Sequence, residues 1–277
     1  MAASLHASVR RGDSTKRSLH FIGACGTVFA LVILGASMFL RLTTIFGLDG
    51  QPISTLPATW ENAARLAHRL AASGVGLLAI WAVMLCWIRR PLPPHFVRPI
   101  ISMATTTVIL AVIGPLTPGY RYAAVTIANV GGGMVLLIAF WWLRETVAGK
   151  LTASRSVDPL LRMTLFVFLA HVATGAAASA YEMQGVRWPT FMHLSSALLA
   201  TMLISATLWD RRHESPMPAP MIATAGLFAT QLALGFTLLW LGERPVWAAL
   251  MHGMLSPLLA MALVSLAIRA RPGGVRQ

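Results

Sequence analysis

Eight separate runs of about 20 apolar residues dominate this chain, and each is long enough to cross a bilayer as an α-helix. The first covers Phe21 to Leu40, and the others roughly 63–87, 99–116, 123–143, 160–181, 191–209, 221–241 and 246–268. In hydrocarbon every backbone N–H and C=O must be satisfied within the protein, so only helices and closed barrels can span. These runs are continuous rather than alternating, which excludes a barrel. Composition agrees: 56% of the 277 residues are hydrophobic and 11% are charged, against about 25% charged in a soluble domain. The expected fold class is an all-α membrane protein of eight transmembrane helices, with no room for a sizeable soluble domain.

The net charge of +13 would point to nucleic acid in a soluble protein. Here the basic residues sit in tails and loops between apolar runs, so positive-inside topology explains them. With the N-terminus inside, Arg41, Arg65, Arg69, Arg121, Arg187 and Arg244 fall on the outer side and the rest of the 22 Lys and Arg on the cytoplasmic side. That bias places both termini in the cytoplasm of a bacterial-type cell inner membrane. The first run is too long for the core of a signal peptide and reads as an uncleaved helix. Cys25 and Cys86 lie near cytoplasmic helix ends and read as free thiols. Trp60, Trp188 and Trp247 lie at the outer boundary, as an aromatic belt would.

The chain divides into a cytoplasmic basic tail (1–20), an N-terminal four-helix half (21–146), a cytoplasmic linker (147–159), a C-terminal four-helix half (160–270) and a short cytoplasmic tail (271–277). Gly114-Pro115-Leu116-Thr117-Pro118-Gly119 breaks the third helix from the fourth, and Pro257 is expected to kink the eighth. The halves look like repeats. His68 opens helix 2 as His193 opens helix 6, and the turn from Gly114 to Asn129 parallels the turn from Gly235 to His252. Four crossings return the chain to the same side, so the repeats run parallel. The expected architecture is two tandem four-helix bundles, a frame that can hold a cofactor in its core.

Intramembrane imidazoles and guanidinia are costly and face a bundle interior, a partner or a cofactor. His6, His20, His95 and His213 fall in tails, loops or helix ends and read as solvated. His68, His193 and His252 enter from the outer side at one expected depth, roughly 5–10 Å below the surface at 1.5 Å per residue. Imidazole is an iron ligand and haem can take two. Two helices that each give one histidine can clamp a haem from both faces, and His193 with His252 are the candidates. Hydrogen bonding between helices and a proton path are the alternatives. His171, near the middle of helix 5, reads as structural. In the N-terminal half His68 faces Asn129, a poor iron ligand, at the place of His252. Gly74, Gly76, Gly131, Gly132 and Gly133 either let helices approach closely or clear space for a flat ring. Arg41, Arg65 and Arg69 either pair with propionates or snorkel to headgroups.

Arg41-Leu42-Thr43 closing helix 1, His68-Arg69 opening helix 2, His193 opening helix 6, and Gln231-Leu232-Ala233-Leu234-Gly235 leading to Pro245 through His252 together resemble the haem A synthase family of cytochrome oxidase assembly proteins. The likeness covers nearly the whole chain. It implies eight helices in two halves and a haem b held through histidines matching His193 and His252. It implies an N-terminal site, at His68 and the position of Asn129, where the ring methyl group of haem O is oxidised towards the formyl of haem A with water as oxygen donor. Haem O synthase or oxidase assembly proteins are the implied partners, besides membrane lipid and an electron acceptor. This chain departs from the family's Glu-x-x-His-Arg by carrying Arg65 where the glutamate stands, and it carries Asn129 in place of a histidine. Glu61, one turn further out, is the remaining carboxylate able to act as base. The expected function is a haem A synthase-like oxidoreductase. The alternative is a non-catalytic haem-binding protein or assembly factor of the same fold. A transporter fits less well, because no intramembrane carboxylate offers an ion site.

Overall fold

A computed structural model describes residues 2–46, 52–89, 92–116, 122–150, 158–182, 185–213, 218–241 and 245–269. Eight long helices account for most of it: α1 (Ala2–Leu42), α2 (Ala58–Ile88), α3 (Pro94–Ile113), α4 (Ala123–Glu145), α5 (Pro159–Glu182), α6 (Trp188–Asp210), α7 (Ala219–Trp240) and α8 (Val246–Arg269). Among the described residues, all eight are long and apolar enough to cross a membrane. The chain is thus an all-helical, multi-pass membrane protein. A short antiparallel ladder of β1 (Thr44–Phe46) and β2 (Pro52–Ser54) follows α1. A 3-10 turn (Gly114–Leu116) ends α3, and a π-helical turn (Thr146–Lys150) extends α4.

The helices start where proline allows. Pro94, Pro159, Pro189 and Pro220 stand in first turns, where the missing N–H costs nothing. α8 continues through Pro257 without a break, since neighbouring helices re-satisfy freed backbone groups. α1, α2 and α3 all begin five or more residues before the apolar runs, α3 at Pro94 rather than near 99. α1 reaches back through the basic segment to Ala2, and α2 starts at Ala58 rather than near 63, because Trp60 to Arg65 is polar yet free of helix breakers. His193 and His252 therefore lie five and six residues into their helices, but His68 lies ten into α2. Distance from the helix start matches the depth of the first two and not the third. Thr117, Pro118 and Gly119 of the expected breaker, Arg121, Arg244, residues 151–157 of the linker and the tail after 269 lie outside the described residues.

α1 packs on α2, α4 and α8; α4 packs also on α3, α5 and α8; α5 packs on α6 and α8, and α7 on α8, while α6 and α7 share little surface. Glycines bring the central helices together. The ring of Phe140 on α4 occupies the space a side chain at Gly26 would need, and Met38 on α1 does the same at Gly253 on α8. One apolar core lies among α1 to α4, around Ile22, Leu78, Ile100 and Phe140. The second joins Phe168, Ile204, Leu259 and Leu263 to Leu34 of α1 and Leu137 of α4. Outward faces carry large apolar residues, with Trp240 90% exposed, which hydrocarbon rather than water suits. Trp60, Trp188 and Trp247 are all exposed near the starts of α2, α6 and α8. Among the described residues, Cys25 and Cys86 form no disulfide.

Candidate functional site

The α5–α6 hairpin is closed by Gly185, whose φ of 73° is left-handed. The Val186 N–H bonds the Tyr181 carbonyl at 3.1 Å, so the last turn of α5 is capped through the glycine. The tight return sets an antiparallel register in which Thr174 faces His193 and His171 faces Ser196. The imidazoles of His171 and His193 stack, with centroids 4.4 Å apart and planes 7° from parallel. His171 Nδ1 is 3.1 Å from Ser196 Oγ. Thr174 Oγ1 is 2.7 Å from Ser196 Oγ and 3.5 Å from His193 Nδ1. The Thr174 and Ser196 hydroxyls also lie 2.8 Å and 2.9 Å from the carbonyls of His171 and His193. Gly175 gives the His193 ring its seat: a Cβ there would stand 2.9 Å from His193 Cε1.

The α7–α8 hairpin repeats this arrangement. A Cβ at Gly235 would stand 3.3 Å from His252 Cε1. Gln231, one turn before Gly235 as His171 is one turn before Gly175, lies with its Nε2 3.4 Å from His252 Nε2. The same amide nitrogen donates to Ser256 Oγ at 3.0 Å, as Ser196 serves His171. Both histidines thus sit on a glycine, beside a polar side chain tied to a serine.

Among the described residues, no group of three or more His, Cys, Asp or Glu is arranged to hold a metal ion. His252 Nδ1 and Gln231 Oε1 are buried without a hydrogen-bond partner among the described residues, which leaves polar capacity unspent where burial makes it costly. Imidazole lone pairs lie in the ring plane, so the stacked, parallel rings of His171 and His193 could not ligate one iron from opposite sides.

The N-terminal half is built differently. His68 is half-buried on α2, and Asn129 is half-buried on α4. Arg65 donates to Glu61 Oε1 from Nε at 2.8 Å and from Nη2 at 2.6 Å, so the Glu61 carboxylate is engaged in an ion pair. Arg69 is exposed, and Arg41 is buried at the end of α1.

The structure places His193 in the α5–α6 hairpin with His171, Thr174 and Ser196, and His252 in the α7–α8 hairpin with Gln231 and Ser256; Thr174, Ser196 and Ser256 are neighbours that periodicity alone does not single out. Their spacing was the available signal. A polar residue, then glycine at i+4, recurs on α5 and α7, and a histidine followed by serine at i+3 or i+4 recurs on α6 and α8. No protein-family model matches the sequence, and no curated protein matches it.

Proposed function

We propose that this chain is a haem A synthase-like oxidoreductase of a bacterial-type inner membrane, built as two tandem four-helix bundles with both termini in the cytoplasm. His193 and His252 hold a haem b in the C-terminal half, which supplies one-electron transfer when bound. His68 positions the substrate haem O, beside Asn129, and Arg41 and Arg69 meet its propionates. The observation that carries the reading is the paired seating of His193 and His252 on Gly175 and Gly235 in two like hairpins. The thin contact between α6 and α7 supports it, because that side of the four-helix group is least closed.

A second reading, a haem-binding protein of the same fold without catalysis, is favoured by the N-terminal geometry. Glu61 is tied to Arg65, and an amide stands where a second imidazole is expected. Purified protein is expected to show a reduced b-type spectrum that His193→Ala or His252→Ala abolishes. A spectrum without haem, or one indifferent to both changes, sinks both readings. Expression in a strain lacking haem A synthase, followed by haem extraction, separates them: haem A supports the oxidoreductase, and haem O alone supports the second reading.

A further inference from the structure

We propose that Thr174 is a positioning residue for His193, its hydroxyl oxygen accepting the Nδ1–H of the ring and so selecting the tautomer whose lone pair is on Nε2. The inference deepens the haem reading and rests on it for its purpose, though not for its geometry. A threonine hydroxyl has one proton and two lone pairs. The Thr174 oxygen has three neighbours: Ser196 Oγ at 2.7 Å, the His171 carbonyl at 2.8 Å and His193 Nδ1 at 3.5 Å. The ring nitrogen is the most distant claimant for the proton. Whichever nearer oxygen takes it, Thr174 meets Nδ1 with a lone pair. The contact is then a hydrogen bond only when Nδ1 carries the hydrogen, and a neutral imidazole has only one N–H. Nε2 is left as the ligating atom, the state that hydrogen bonds behind a metal-bound histidine commonly enforce.

Gly175 completes the device. It lets the ring lie against α5, close enough for the hydroxyl one residue earlier to reach Nδ1. Ser196 bridges Thr174 to His171 Nδ1, so the stacked His171 helps hold the hydroxyl rather than the iron. His252 has no equivalent, because its Nδ1 has no partner among the described residues. The two histidines are therefore held unequally, with His193 as the pre-set one.

The test uses full-length protein prepared without haem and labelled with nitrogen-15 at histidine, with His193 assigned by difference against His193→Ala. The expected result is the Nδ1–H tautomer at His193. Thr174→Val, which keeps the shape and removes the hydroxyl, is expected to shift His193 towards the Nε2–H form. Haem affinity in a titration is expected to fall about 10–100-fold, the usual effect of losing a partner behind a ligating histidine. Thr174→Ser is expected to restore both. An Nε2–H tautomer in the unaltered protein, or a Thr174→Val protein unchanged in tautomer and affinity, overturns the proposal. If the unaltered protein takes up no haem, the haem reading fails, and the tautomer measurement still decides for or against Thr174.

Discussion

The ring of His193 lies against the backbone of α5 at Gly175, so near that an added methyl group would stand 2.9 Å from Cε1. The equivalent approach of His252 to Gly235 is looser, at 3.3 Å. Gly175→Ala should therefore push the imidazole off its seat, at about 1–3 kcal/mol of overpacking, while Gly235→Ala is absorbed by a slight shift. Haem retained through size-exclusion chromatography is expected to drop clearly for the first variant and little for the second. Equal retention by both would show that the glycines do not seat the histidines.

Deeper in the same hairpin, Thr164 and Thr207 are fully buried and share a hydroxyl contact of 2.8 Å across α5 and α6. Thr164→Val leaves the Thr207 hydroxyl without its cross-helix partner, and Thr207→Val leaves Thr164 only the Leu203 carbonyl of α6, at 3.4 Å. Each is expected to destabilise by about 1–2 kcal/mol. The double variant removes both groups and should cost less than the sum, with a coupling of about 0.5–1 kcal/mol. Thermal unfolding in detergent of the four proteins measures it, and strict additivity would mean that the contact contributes nothing.

At the other end of the hairpin, the buried Arg211 donates to Asp158 Oδ2 at 3.0 Å. Asp158 also caps α5, its Oδ1 accepting from the Leu160 N–H at 3.0 Å. Asp158→Ala removes the cap and leaves a buried guanidinium without its carboxylate. The cap is worth about 1 kcal/mol, and the partial exposure of Asp158 limits the ion-pair share to about 1 kcal/mol more. Asp158→Asn keeps a capping oxygen and should lose about half as much. Unfolding temperatures in the order unaltered, Asn, Ala are the expected outcome, and an unchanged Asp158→Ala protein would remove the pair from any account of stability.

The spans were legible because transfer into lipid is close to additive along a run, so each helix declares itself without its neighbours. The starts of α1 and α2 were not, since Trp60 to Arg65 is polar and polarity marks where a membrane ends rather than where a helix does. His193 and His252 stood out because an imidazole within an apolar run is expensive. Their surroundings did not stand out. That Thr174 meets His193 and His171 meets Ser196 depends on the register of the α5–α6 return, which Gly185 and the Tyr181–Val186 bond fix. Nor does the sequence declare that Arg65 and Glu61 engage each other; the i,i+4 spacing permits it, and rotamers decide it.

That ion pair gives the sharpest test of the N-terminal half. Arg65 and Glu61 are exposed and half-exposed respectively, so breaking the pair should change stability by less than about 1 kcal/mol. Its chemical effect should be larger. With Arg65 in place, the carboxylate nearest His68 accepts two charge-assisted hydrogen bonds and is a poor base for proton removal. Arg65→Glu frees Glu61 and places a second carboxylate one turn from it, at i−3 from His68, and Asn129→His supplies a second imidazole. The double variant is expected to raise the fraction of haem A over haem O, in cells lacking their own haem A synthase, above that of the unaltered chain. Each single variant should raise it less. An unaltered chain already making haem A in full, with the variants no better, would show that Arg65 and Asn129 belong to a working site. Haem O alone from every variant, with the C-terminal spectrum intact, would confine this protein to binding haem.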